Sequence, residues 1–423
     1  MVRSHRRVLL ALVLLQAYTA CIAAEPSRYE LQFGADISFV DADGYTSWTQ
    51  YGAGKLRYDA DTDGLQLTRA FADFGWRISD TLKLELAAEF YDDFGPLAGL
   101  TEAYVEWRPL GVSANRWRFK LGEFYPRISL ENTAAGWGSP YSITPSVINT
   151  WLGEEIRLRG AEVSFSRRPE ALGGAHTFTL NAAVFHANDP AGTLMSWKGW
   201  SAHDRQSRLG DELPLPPVPQ IEPGGYFAHQ DPYTKPFLEI DDAAGYYLSA
   251  EWALARRWLL RATHYDNRAD PVSEIAGQFG WLTRFDHLGL QTTLPGDVGL
   301  ITQWIKGDTT WGRTPGGERG VYADYTSYFV LLSKAFSRHR LSARYDRFEV
   351  TDNDTIPLDN NAEDGNAWML GYQFSAARYL TLAAEWLQIE TTRPAFAYFD
   401  LDPSVTERQL QLSAQLRFGG PKL

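Results

Sequence analysis

The chain has 423 residues, a formal net charge of −12 and 14% aromatic residues. That length holds one very large domain or two to three ordinary ones. The acidic balance argues against nucleic acid as a partner, because phosphates need basic neutralisation.

Arg3, Arg6 and Arg7 form a basic start. The apolar run Val8 to Ala20 follows, and then the small residues Ala23 and Ala24. This reads as a secretory signal peptide, residues 1–24, too short to be a membrane anchor. Its removal takes three arginines and no acid, leaving a charge of about −15. The single cysteine, Cys21, lies inside that segment. Acylation of Cys21 is disfavoured because Tyr18 sits where a lipobox normally has Leu. A mature chain without a thiol has no disulfide framework and no cysteine nucleophile or metal site. Beyond residue 24 no run approaches the roughly 18 apolar residues of a membrane helix.

About sixteen alternating segments then recur to the end. They begin near Tyr29, with Leu65–Ile78, Leu82–Phe90, Leu100–Trp107 and Trp117–Phe124 next. Ile156–Phe165, Phe178–Phe185, Tyr246–Leu254, Trp258–Tyr265 and Trp281–Leu294 follow. Val298–Ile305, Tyr325–Phe336, Leu341–Val350, Trp368–Phe374, Leu380–Ile389 and Leu410–Phe418 complete the series. In the thirteenth of these, Leu341, Ala343 and Tyr345 share one face, while Ser342, Arg344 and Asp346 share the other. A period of two with unlike faces is a strand between unlike neighbours.

The connections alternate in length. Tight links fall at Ser79-Asp80, 109–114, 255–257, 295–297, 337–339 and 375–378. Long ones fall at Asp41 to Gly64, Tyr125 to Glu155, His186 to Gly245, Gly307 to Asp324 and Thr351 to Asn366. Turns on one rim and loops on the other predict an all-β, transmembrane antiparallel barrel of about 16 strands over residues 25–423, with apolar faces toward outer-membrane lipid. Aromatic residues at both ends of the segments, such as Trp76, Trp107, Trp117 and Trp258 against Phe90, Tyr265, Trp281 and Trp368, predict two girdles.

"FKLGEFYPRISLEN" (Phe119 to Asn132), "LITQWIKGDT" (Leu300 to Thr309), "LLSKAFSRHRLSARYDRFEV" (Leu331 to Val350) and "AYVEW" (Ala103 to Trp107) carry a likeness to a known family. In these stretches the chain resembles bacterial outer-membrane porins of the phosphate-selective O/P type. The resemblance implies a sixteen-stranded homotrimeric barrel in the bacterial outer membrane, its third long loop folded inward. The chain departs from that family in showing no ladder of basic residues along the predicted pore.

With polar faces inward, Arg116, Arg118 and Lys120 on the fifth segment oppose Glu102 and Glu106 on the fourth. Facing rows of unlike charge set a transverse field across a channel, or brace its wall. Loop 125–155 is the constriction candidate, contributing Arg127, Glu131, Glu154 and Glu155 with the adjoining Arg157 and Arg159. A proline-rich stretch, Glu212 to Pro223, reads as a stiff extended segment, a surface loop ahead of the alternative of a plug or cap on the mouth.

These features predict a porin passing small hydrophilic solutes or ions, without enzymatic activity, metal or cofactor. The alternatives are a barrel enzyme (lipid hydrolase or protease), motivated only by His264 near Asp266, and a closed structural or adhesive barrel. Acidic external residues such as Asp352, Asp354, Asp359, Glu363 and Asp364 predict a weak cation preference that fades with salt, and no phosphate preference.

Overall fold

The computed structural model describes residues 28–419, apart from 112, 168–173, 256 and 314–318. The signal-peptide reading of residues 1–24 lies outside the described residues. Sixteen long strands form one closed antiparallel barrel. They are β1 (Tyr29–Asp43), β2 (Gly64–Arg77), β3 (Leu82–Phe90), β4 (Ala98–Trp107), β5 (Asn115–Phe124), β6 (Leu158–Arg167) and β7 (His176–His186). After two short strands, β8 (Leu213–Pro214) and β9 (Tyr233–Thr234), come β10 (Gly245–Leu254) and β11 (Trp258–Asp266). A second short pair, β12 (Glu274–Ile275) and β13 (Gln278–Phe279), precedes β14 (Leu282–Leu294), β15 (Val298–Arg313) and β16 (Arg319–Phe336). The wall ends with β17 (His339–Asp352), β18 (Glu363–Ala377), β19 (Leu380–Thr392) and β20 (Ser404–Gly419). The short strands pair only with each other, outside the barrel ladder.

Burial along the wall is inverted relative to a soluble protein. Leu341 is 51% exposed and Leu370 54%, whereas Arg344 on the same strand as Leu341 is 1% exposed. Polar side chains turned inside and apolar ones turned out are what a strand does between a wet lumen and lipid. A two-residue link, Ser337-Arg338, joins β16 to β17, and Ser337 takes φ 53°. The β14–β15 turn uses Gly296 (φ 78°) and Asp297 (φ 58°), so two consecutive left-handed residues reverse the chain. Closure is made by β1 on β20, with Phe33 opposite Phe418 and their rings 5.2 Å apart. Closing the sheet leaves no edge strand to pair with another chain.

The external connections are called L1 (44–63), L2 (91–97), L3 (125–157), L4 (187–244), L5 (267–281), L7 (353–362) and L8 (393–403). The sixth lies between β15 and β16. The expected long loop from Gly307 to Asp324 is mostly hairpin, with Thr310 paired to Tyr322 and Trp311 to Val321. Here β15 and β16 rise beyond the apolar belt. Outward Asp308 and Asp324 meet water there, so no apolar alternation is needed.

Candidate functional site: the lumen and its loops

L3 enters the barrel, and wall residues on β17 and β19 hold its middle. Arg344 on β17 donates from Nε to Asp346 Oδ2 (2.7 Å) and from Nη1 to Glu131 Oε1 (3.0 Å) and the Thr144 carbonyl (2.7 Å). Its Nη2 reaches the Pro145 carbonyl at 3.0 Å. Asp346 Oδ1 accepts from Val147 N (3.1 Å), and Glu385 on β19 accepts from Ile143 N (2.6 Å) and Thr144 N (2.9 Å). A guanidinium buried with two carboxylates satisfies the rule that buried charges are paired. Ser146 then caps a helix, Val147–Glu155, by accepting from Asn149 N. Every residue of that helix is buried. Val147, Ile148, Trp151 and Leu152 join Phe285, Ile301, Tyr325 and Phe329 of the wall in one apolar cluster inside the barrel.

L4 lies across the outer mouth and touches the loops around it. Ala202 N donates to Lys55 O of L1 (3.0 Å), and Arg205 Nε donates to Asp93 of L2 (2.7 Å). Ser207 N reaches Gly153 O of L3 (3.1 Å), and Trp281 N of L5 reaches Asp189 O (2.7 Å). Phe227 meets Trp311 at the end of β15, with ring centroids 4.7 Å apart. Gln220 donates to the Pro357 carbonyl of L7, and Arg393 of L8 donates to Ser196 O (2.5 Å). Leu194, Trp197, Leu213, Leu215 and Val218 pack under Trp281, Val321 and Ile356. The proline-rich stretch expected at the surface therefore supplies part of a buried lid.

Ion pairs latch this lid. Lys55 meets Glu363 (2.5 Å) and donates to Lys198 O (2.5 Å). Lys198 and His203 both meet Glu154, the latter at 2.8 Å through Nε2. Burial alone would raise the Glu154 carboxyl, but Lys198 and His203 override it and bring it down to about 2. Glu155 makes no ion pair among the described residues, and burial pushes it up to about 7 despite donors at Leu194 N (2.9 Å) and Trp151 Nε1 (2.6 Å).

The sequence-derived candidates divide by position. Glu131, Glu154, Glu155 and Arg157 are buried holders of loops. Arg157 donates to Tyr125 OH and to Ser207 O (2.6 Å), sandwiched between the rings of Tyr125 (4.5 Å) and Phe237 (4.4 Å). Glu102 accepts from Tyr125 N (2.9 Å), anchoring the start of L3. Arg118 lies 3.7 Å from Glu106 and 3.4 Å from Glu162, so the facing rows meet as wall pairs. Lys120 sits over Tyr104 at 4.6 Å, Arg116 donates to Gly111 O at the turn rim, and Arg127 is half-buried on L3. Arg159 differs from expectation. It sits on the outward face of β6, its side chain 55% exposed, and pairs with Glu123 at 2.5 Å. Outward charges at this end of the wall meet headgroups and water rather than the pore.

His264 also faces outward, 2.8 Å from Asp286 rather than from Asp266. Thr263 and Ser249, the neighbouring hydroxyls, point inward and bond to each other at 3.1 Å. The outer face of this pair thus offers His264 no serine nucleophile from these positions.

The spaces among the described residues inside the wall include two that L3 borders. A vestibule of about 380 Å³ is lined by residues of the short-turn rim, Ser337 to Arg340, and by Arg69, Arg417, Asp36 and Gln373. A second, separate space of about 10 Å³, room for one water, lies among Trp137, Asn149, His203, Asp204 and Gln206. Arg69, Gly138, Ser139, Ile143 and Asp204 line both. Sequence reasoning missed this small space, because its walls come from β2, L3 and L4 together.

No protein-family profile matches the chain, and no curated protein does. Among solved structures it is similar to the outer membrane channel DcaP of Acinetobacter baumannii, at 10% identity and TM-score 0.54, over 94% of this chain and 99% of that one. It is also similar to OmpF of Salmonella typhi solved with daunomycin (8%, TM-score 0.51, 92% and 97%). A third is an anion-selective porin from Comamonas acidovorans (10%, TM-score 0.50, 92% and 100%). At these identities the likeness is one of fold: the chain forms a porin-type transmembrane β-barrel.

Proposed function

We propose that the protein is a bacterial outer-membrane channel of the porin type, passing small hydrophilic solutes or ions, with L4 as a lid on its outer mouth. The observation that carries this reading is a sixteen-stranded wall, apolar outside and polar inside, around a vestibule open at the turn rim. A barrel of that size is too wide for wall side chains alone to fill. Here two loops fill it, so transport needs L4 to leave its seat. Assembly as a homotrimer rests on the resemblance to phosphate-selective porins, and native mass measurement tests it.

Planar-bilayer recording tests the channel itself, on the full chain and on a variant in which residues 193–211 are replaced by a short Gly/Ser link. Discrete steps are expected, rare or small for the full chain and larger for the variant without the latch residues of L4. Silence from both folded barrels over many insertions would overturn the reading and favour a closed structural barrel.

A further inference from the structure

We propose that L7 holds a divalent cation of the calcium type on Asp359 and Asn361, with the charge of Asp352 and Asp354 behind them. The site belongs to an external loop rather than to the lumen, so it goes beyond the channel reading.

The segment "DNDTIPLDNN" (Asp352 to Asn361) runs from the end of β17 through L7. Asp352 Oδ1 accepts from Asp354 N (3.2 Å), and Asp354 accepts from Ile356 N (3.0 Å) and Tyr322 N (2.9 Å). Asp359 N then donates to the Ile356 carbonyl (3.4 Å), so the loop turns back on itself. Asp359 is 3% exposed and Asn361 1%. Asn361 Nδ2 donates to Asp359 Oδ1 (3.3 Å), which brings the ends of the two side chains together. Their other oxygens, Asp359 Oδ2 and Asn361 Oδ1, are sealed from solvent and meet no donor among the described residues. Buried polar atoms are costly to leave unmet, and here two acceptors are orphaned side by side. Flipping the amide does not help, because it would turn the Asn361 oxygen onto Asp359 Oδ1.

Charge decides between a water and a cation in this place. Burial, and then the charges of Asp354 and Asp352, push the Asp359 carboxyl up to about 7. Arg393 bears on Asp359 from L8, but its guanidinium is spent on Glu363 (3.5 Å), Asn361 O (3.3 Å) and Ser196 O (2.5 Å). A water would satisfy the two free oxygens and leave the carboxylates uncancelled. A divalent ion does both. Calcium takes carboxylate, amide and water oxygens in flexible geometry, whereas magnesium demands a near-ideal octahedron that an irregular loop does not offer. The site also bears on the lid. Gln220 of L4 donates to the Pro357 carbonyl, and Ile356 packs with Leu213, Leu215 and Val218. An ion here stiffens the part of L7 on which L4 rests.

Hydrogen exchange with mass spectrometry, on the folded full chain in detergent at pH 8, tests the site with calcium as the probe. Extracellular calcium sites bind at about 0.1–1 mM, so half the effect should come on the order of 1 mM. At ten times that, exchange at residues 353–362 should slow about tenfold, with a smaller slowing at 213–221. Sodium at matched ionic strength should not reproduce it. Asp359→Asn should abolish the response. Asn361→Asp should exchange faster without calcium and gain more from it. Asp352→Asn, at the strand end, should raise the calcium needed severalfold, and it serves where Asp359→Asn does not fold. The readout is local, so calcium taken by the acidic group Asp189, Glu239 and Asp241 shows at other peptides. Unchanged exchange at 353–362 would overturn the proposal, as would equal slowing by sodium or an undiminished calcium effect in folded Asp359→Asn. No current is needed, so the site stands or falls apart from the channel reading.

Discussion

Replacing Arg344 by Met should free L3 while leaving the barrel standing. The guanidinium makes four hydrogen bonds, to Asp346, Glu131 and two L3 carbonyls, and its side chain is fully buried. Removing one partner of a buried charged set costs about 3–5 kcal/mol, mostly because the remaining carboxylates lose their counterion. Glu131 keeps donors at Ser146 N and Asn149 Nδ2 (both 2.9 Å), and Asp346 keeps Val147 N. The low end of that range, about 3 kcal/mol, is therefore expected, or roughly 150-fold faster exchange at amides of residues 143–150. The wall ladder does not pass through this side chain, so the heat needed to unfold the barrel should hardly change. Hydrogen exchange with mass spectrometry reads the first effect, and heat-dependent gel mobility reads the second. Adding Glu131→Gln and Asp346→Asn should restore part of the protection, because they remove the stranded charges. Unchanged exchange at 143–150 in Arg344→Met would refute the view that wall charge holds L3.

Acidification should loosen L4 in a defined window. The folded pKa of Glu154, about 2, lies below its ordinary value of 4.5. The linked stability, on the order of 3 kcal/mol, is thus complete above pH 4.5 and lost as pH falls toward 2, which tryptophan fluorescence or exchange at 196–207 would follow. Gly199→Ala should weaken the same lid, since Gly199 has φ +75° and a Cβ there would lie 1.9 Å from Glu363 Oε2. Its readout is a higher rate of proteolysis in L4 with the barrel intact. Leu370→Arg, at an outward position 54% exposed, should destabilise the folded barrel by about 2–4 kcal/mol in lipid. Urea titration in vesicles measures it, and a neutral result would show that this face does not meet hydrocarbon.

The strand faces were legible in the sequence because a wall between lipid and water imposes a period of two along its whole length. Leu341, Ser342, Ala343, Arg344, Tyr345 and Asp346 assign their own sides, and the closed barrel keeps that assignment. Sorting turns from loops was legible too, because turn residues such as Gly296 and Asp297 reverse the chain locally. Where the strands leave the lipid that constraint ends, so the β15–β16 hairpin carries no alternating signal and resembles a loop in sequence. Loop placement had no local signature. Glu154 is polar in sequence whether it lines water or meets Lys198 and His203 in a buried latch, and only the packing of L4 over L3 decides which. Arg159 shows the same limit: one residue of register at the loop boundary puts its charge outside the wall rather than within. Periodicity is a property of neighbours in the chain. Charge cancellation and the lid are properties of neighbours in space, brought together from strands and loops up to hundreds of residues apart.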